Sequence, residues 1–363
     1  MEKRVKKEVY EKYPYPNLVG ELVDGVLYIL FYVENYISRS IKRVLDVGCG
    51  TGEYMMGAAF RHPEVEFVGV DFSEKSIEIA DKWKRKKKLQ NVSFYCQDIR
   101  DFELGKFDYV VCSGVIEEGS DVEILNHIVK VMKEDGMIGL TFRAKCGVGE
   151  DIELMKNMID ILTQNSEGSI EGLERKVEIL KRVWYKVDDK HWLKHLISRK
   201  LIESNSHLIN LFVSNNFDVK SIFNMLSSVD LKFIRFVDEH VWLPEFYMSD
   251  YDLGQLKCEE KYSLLSMLRR NISDFEFFAS PILRDKDWRK DKLVLTPFGA
   301  LVESDIFVFY DGTTIKLDLK RVMILKCLKQ PHTLNELIME IREISPEVIT
   351  EFVRVMFRHK VLI

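Results

Sequence analysis

Asp46-Val47-Gly48-Cys49-Gly50-Thr51-Gly52 decides the reading of this 363-residue chain. The stretch closes an apolar run, Val44 and Leu45, and opens onto a segment of helical spacing, so it reads as a strand, a glycine turn and a helix. Gly48, Gly50 and Gly52 let the backbone turn sharply and approach a ligand, and the helix that follows offers unpaired N–H groups at its start. The dinucleotide pattern G-x-G-x-x-G is not met, because Glu53 stands where its third glycine belongs. A carboxylate there repels a pyrophosphate, whereas together with Asp46 it suits a ligand carrying positive charge.

Three further strand ends follow in order. Glu66 to Val70 is a short apolar run ending in Asp71, nineteen residues after Gly52, where an acid hydrogen-bonds ribose hydroxyls in nucleotide-binding units. Val92 to Tyr95 leads through Cys96 and Gln97 to Asp98 and Ile99, and Phe107 to Val111 opens into Cys112, Ser113 and Gly114. A single acid could simply cap the helix after it. The ordered set resembles the class I, Rossmann-like S-adenosylmethionine (SAM)-dependent methyltransferases over about residues 40 to 145. The resemblance implies SAM as cofactor and S-adenosyl-L-homocysteine as product. It puts Asp46, Gly48, Cys49, Gly50, Gly52 and Glu53 at the methionine end, Asp71 on the ribose, Phe72 beside the adenine, Asp98 and Ile99 at the adenine amino group, and Ser113 and Gly114 at the transfer site. Cys49 reads as a small filler, since no base lies near it in sequence.

Composition describes an ordinary soluble protein: 46% hydrophobic, 31% charged and a net charge of −5. The acidic balance gives no general attraction to nucleic acid or to an anionic membrane. Six cysteines without a CxxC pair, and no leader segment, imply a cytoplasmic location, and no apolar stretch approaches the roughly 20 residues a spanning helix needs.

Residues 1–40 read as a helical arm with an amphipathic segment, Leu22 to Ile37. Before it, Tyr10-Glu11-Lys12-Tyr13-Pro14-Tyr15-Pro16 reads as a stiff extended stretch, because each proline restrains the residue ahead of it. A similar tyrosine-proline arm occurs in methyltransferases with extra C-terminal domains; it implies a cofactor lid in which Tyr13 and Tyr15 offer ring faces to the sulfonium, the alternative being plain core packing. From 41 to about 285 the alternation of strands and helices predicts a seven-stranded, mostly parallel α/β sheet, its seventh strand, Phe275 to Ser280, antiparallel between the fifth and sixth. Helical insertions are expected at about 150–204 and 246–271, the first capping the substrate side. Ser120 and Glu123 read as a capping box and Gly136 as a helix end. Residues 290–363 change character: a hairpin turning at Asp311-Gly312 and three helices resemble a winged-helix-like accessory domain. From Lys292 onward ten basic and nine acidic residues leave no basic face for phosphates.

Other constellations carry less. Lys82, Lys84 to Lys88 and Trp83 fit a solvated helix end whose dipole favours cations. His191 and His195 have the spacing of a metal pair but no third ligand, so no metal is expected. His240 follows a strand and could equally be a core histidine. The loop after the fourth strand lacks the Asn/Asp-Pro-Pro-Tyr/Phe of amide and base-amine enzymes; Glu117 and Glu118 stand in it and are the candidates to orient an amine or take a proton. The expected function is methyl transfer from SAM to a protein or peptide side chain. Alternatives are a small-molecule O-, N- or S-methyltransferase and a SAM-binding regulator without catalysis; oligomeric state is left open.

Overall fold

In the computed structural model, residues 3–18, 20–23, 25, 28–116, 122–164, 169–237, 242, 253, 255–269, 272–283, 289–295, 299–301, 305–309, 314–358 and 362 are described. The chain opens with α1 (Lys3–Lys12) and α2 (Leu30–Ile37) and then enters the alternation: β1 (Arg43–Val47), α3 (Glu53–Arg61), β2 (Glu66–Asp71), α4 (Glu74–Lys87), β3 (Val92–Cys96), β4 (Phe107–Ser113), α5 (Val122–Val131) and β5 (Met132–Arg143). A helical insertion follows, α6 (Val148–Leu162), α7 (Ile170–Lys186), α8 (Trp192–Leu196), α9 (Arg199–Ile202) and α10 (Asn205–Val213). The sheet resumes with α11 (Val219–Ser228), β6 (Lys232–Phe236), α12 (Cys258–Leu268) and β7 (Asp274–Ser280).

The strands form one seven-stranded sheet in the order β3-β2-β1-β4-β5-β7-β6. β1 pairs in parallel with both β2 and β4, while β7 runs antiparallel to β5 and β6 between them. The chain thus leaves β1 toward one edge and returns on its other side at β4. Carboxyl ends diverge at that reversal and leave a crevice, the usual ligand position in open α/β sheets. Alternation along β1 sends Leu45 and Val47 into one apolar layer and Val44 into the other, which explains why both faces are covered by helices.

Local signals account for the helix ends. Ser73 caps α4 by accepting from Ser76 N at 3.1 Å, and Lys88 closes it in the left-handed conformation. The cationic stretch Lys84–Lys87 occupies the last turn of α4, with Lys86 over the ring of Trp83 at 4.4 Å.

Several expectations are corrected. Tyr10 to Lys12 are helical, and the segment that follows, Tyr13 to Pro16, is a run of bends. The α-helix expected from Leu22 starts only at Leu30; before it the Val23 backbone lies across α3 at Gly57, where a Cβ would sit 2.2 Å from the Val23 carbonyl oxygen. Gly136 does not follow a helix but lies inside β5, at a spot where a Cβ would fall 2.6 Å from Met132 Cγ. The helical insertion is longer than read, reaching Val213. Ser120, His240 and the turn Asp311-Gly312 lie outside the described residues.

The C-terminal stretch has its own apolar core around Phe307, Leu325, Leu337 and Val353. It holds β8 (Gly299–Leu301), which the sequence reading missed, β9 (Ile306–Phe309), β10 (Thr314–Lys316), α13 (Leu319–Cys327), α14 (Leu334–Glu340) and α15 (Pro346–Arg358). The three strands form an antiparallel sheet, and the capping box of Thr333 and Glu336 is present at α14.

At the amino edge of the main sheet, Asp108 is fully buried yet multiply bonded. It accepts from the backbone N–H of Lys42 (3.0 Å) and Arg43 (2.9 Å), from Lys133 Nζ (2.6 Å) and from Arg39.

Candidate functional site

A cavity of about 570 Å³ opens at the carboxyl edge of β1, β2, β4 and β5, within the range of small-ligand pockets. Gly48 and Cys49 both donate backbone N–H to Val70 O, at 2.8 and 3.1 Å, which folds the glycine turn back over the end of β2. Gly48 (φ 68°) and Gly50 (φ 53°) need the left-handed region, and Gly50 has a second reason to lack a side chain: a Cβ would lie 2.2 Å from Tyr15 O.

Asp71, at the end of β2, lines the cavity with its carboxylate already oriented: Oδ2 accepts from Gly50 N at 2.9 Å and Oδ1 from Ser73 N at 2.8 Å. Each oxygen keeps a lone pair for a ligand hydroxyl. Burial raises its pKa, while those two N–H bonds oppose the rise. Phe72 lines the cavity and meets Tyr10 edge-on at 6.0 Å. Asp98 and Ile99 also line it; Asp98 is clamped by Arg100 through Nε at 2.9 Å and Nη2 at 2.7 Å. Ser113 and Gly114 border the middle, and a Cβ at Gly114 would meet nothing within 4 Å, so open space runs along this backbone.

Five expected residues are not on the cavity surface. Asp46 stands behind it, fully buried against Tyr28; burial lifts its pKa from 3.8 to about 7, with the Tyr28 hydrogen bond opposing and the Asp71 charge adding. Cys49 is buried, and burial pushes its thiol up, away from nucleophilic use. Gly52 caps α3 with its Cα against Phe94. Glu53 is buried and accepts from Leu18 N at 3.0 Å and from Thr51, so its carboxylate holds the arm. Tyr13 turns to the helical insertion, where its hydroxyl bonds Glu174. Glu117 and Glu118 lie outside the described residues.

Tyr15 does line the cavity. Its backbone carbonyl accepts from Thr51 N at 3.2 Å, while its ring meets His207 edge-on at 5.0 Å. Burial, then Tyr54, push its hydroxyl up to about 12, with Arg143 opposing and Asp274 adding.

The far wall went unread in the sequence. It is made by Thr141 and Arg143 at the end of β5, Asp274 and Glu276 at the start of β7, and Asn210 and Ser214 from the helical insertion. Because β7 is antiparallel, its first residues share the carboxyl edge with the last residues of β5, and Arg143 stands opposite Asp274 in the ladder. The alternation Asp274-Phe275-Glu276-Phe277 was a usable signal, since it puts both acids on one face and both phenylalanines in the core. His191 caps α8 by accepting from Leu193 N at 3.3 Å, and among the described residues no group of His, Cys, Asp and Glu could hold a metal ion.

A family profile described as "Methyltransferase domain" matches residues 38–182. Among sequence relatives, the Rickettsia prowazekii protein RP789 is 36% identical over 109 residues, 30% of this chain and 19% of that protein. The tRNA (guanine-N(7)-)-methyltransferase of Rubrobacter xylanophilus is 50% identical over 56 residues, 15% of this chain and 25% of that one. The chain thus spans only a minority of either relative's length. Among solved structures, PKMT2 from Rickettsia typhi in complex with AdoHcy superposes with a TM-score of 0.64 at 14% identity, covering 96% of this chain and 77% of that one, which shows a shared fold. Residues 38–182 thus match a methyltransferase domain, and the strand order and glycine turn around them are those of a Rossmann-like α/β sheet.

Proposed function

We propose that the protein transfers the methyl group of S-adenosyl-L-methionine to a side chain of a protein or peptide. The observation that carries this reading is the continuity of one cavity from Asp71 and Asp98, past Ser113 and Gly114, to a wall supplied by the helical insertion and β7. When bound, the sulfonium supplies an activated methyl group whose transfer releases a neutral thioether. The residues then have to hold, orient and keep water out, which is where most of the acceleration of an in-line displacement arises.

In this assignment Asp71 takes the ribose hydroxyls with its spare lone pairs. Phe72, Ile99 and the Asp98–Arg100 pair surround the adenine, and the Gly48–Gly50 turn admits the methionine end against bare backbone. Asp46 and Glu53 act behind this layer. Asp46 keeps the turn negative once ionised, and Glu53 fastens the arm that roofs it. Ser113 and Gly114 border the path of the methyl group. Glu117 and Glu118 remain the candidates to accept the acceptor's proton.

A macromolecular acceptor fits the size of the insertion that builds the far wall and a C-terminal unit of balanced charge. The test is incubation with methyl-labelled SAM and cell extract, with Asp71→Ala as control. Label in a protease-sensitive band, absent from the control, is the expected result; label confined to small, protease-resistant products refutes a protein acceptor.

A further inference from the structure

The far wall holds a group that the protein itself leaves unsatisfied. Arg143 Nη1 is shielded from solvent and has no hydrogen-bond partner among the described residues. Leaving a buried donor in that state is unfavourable, the more so when it is charged. Asp274 is its direct neighbour across the β5–β7 ladder, and Glu276 is two residues on, yet Nη1 is bonded to neither. All three line the cavity.

Strand order says which ligand meets them. Asp71 lies on β2, one strand from β1 on one side, while β5 lies two strands from β1 on the other, about 10 Å away at the usual strand spacing. A cofactor with its ribose at Asp71 and its methionine end at Gly48–Gly50 presents its methyl group at β4. Beyond β4 is the acceptor's ground. One cation and two carboxylates there leave the wall net negative, which suits an amine, and the planar fork of the guanidinium suits a carbonyl or carboxylate oxygen close to that amine.

We propose that Arg143 anchors an oxygen of the acceptor substrate, while Asp274 and Glu276 face the acceptor's ammonium, so that Arg143 selects amines carrying a carbonyl or carboxylate oxygen. This rests on the methyltransferase reading above.

The test uses the full chain loaded with S-adenosyl-L-homocysteine and three probes: lysine, lysinamide and 1,5-diaminopentane. The last two carry the same charge and differ by one carbonyl-bearing group. Calorimetry is expected to show lysine and lysinamide binding about tenfold or more tighter than diaminopentane. Arg143→Met should abolish the difference while leaving S-adenosyl-L-homocysteine affinity unchanged; Arg143→Gln serves the same purpose should the methionine variant not fold. Three results overturn the assignment: no preference for the oxygen-bearing probes in the unaltered protein, a preference that survives in the variant, or a tenfold fall in S-adenosyl-L-homocysteine affinity in the variant, which would put Arg143 on the cofactor. Failure of S-adenosyl-L-homocysteine to bind the unaltered protein would instead remove the methyltransferase reading, and this assignment with it.

Discussion

Gly50→Ala should free the N-terminal arm from the glycine turn. The substitution meets two obstacles. At φ 53° an alanine is strained by about 1–2 kcal/mol, offset by about 0.4–1 kcal/mol through a stiffer unfolded chain. Its Cβ would also lie 2.2 Å from Tyr15 O, so that carbonyl must withdraw by about 1 Å to reach ordinary contact. Withdrawal breaks the Thr51 N–H bond to Tyr15 O (3.2 Å) and loosens those from Asn17 N to Thr51 Oγ1 (3.0 Å) and from Leu18 N to Glu53 Oε1 (3.0 Å). At about 0.5–1.5 kcal/mol per bond, the docked arm loses about 2–4 kcal/mol in all. Because the arm can detach alone, the melting temperature should move little. Hydrogen exchange at residues 13–18 should instead accelerate by about 30-fold to several hundredfold, and SAM affinity should fall with it. Gly114→Ala is the control: its φ of 67° imposes the same kind of strain, but its Cβ would meet nothing within 4 Å, so arm protection should persist. Unchanged protection in Gly50→Ala, or equal loss in both variants, would refute the steric argument.

Asp71→Asn should weaken SAM binding by about 30- to 100-fold by calorimetry, since an amide NH₂ would face the N–H of either Gly50 or Ser73, both of which now donate to the carboxylate. Asp46 should make stability fall with rising pH. Unfolded, it ionises near 3.8, and folded near 7, so between those values only the folded chain keeps the proton, and about 4 kcal/mol is lost across that window. Asp46→Asn should therefore flatten the urea-midpoint profile between about pH 4 and 7; an unaltered slope contradicts the assignment. Asp108→Ala should destabilise by about 3–5 kcal/mol, read from urea unfolding, because Arg39, Lys133 and two backbone N–H groups lose their shared acceptor. A loss below about 1 kcal/mol would mean that the cluster is structurally neutral.

The half of the site nearest the glycine turn was legible because each of its residues closes a strand: Gly48 after β1, Asp71 at the end of β2, Ser113 at the end of β4. Apolar runs mark strands, and the polar residue that ends each run falls at the sheet edge by geometry alone. The far half was hidden because Arg143 and Asp274 are 131 positions apart and become neighbours only through an antiparallel insertion late in the chain. The place of Tyr10 at the cavity is not legible, because prolines at 14 and 16 argue for extended backbone and say nothing of the helix before them. The displaced roles of Tyr13 and Glu53 have one cause: each bonds a segment far away in sequence, Glu174 and Leu18 respectively, and no local pattern announces such a partner.

α1 and the turn after it touch both halves of the molecule. Glu11 accepts from the N–H groups of Glu74 and Lys75 at the start of α4, and Tyr10 packs on Phe72 in the cavity wall. Tyr10 also donates to Asn210 at 3.0 Å, and Lys12 pairs with Glu174 at 2.6 Å, both in the insertion. One helix thus ties the cavity wall at Phe72 and the start of α4 to Asn210 and Glu174 of the insertion, so removing α1 would release both at once.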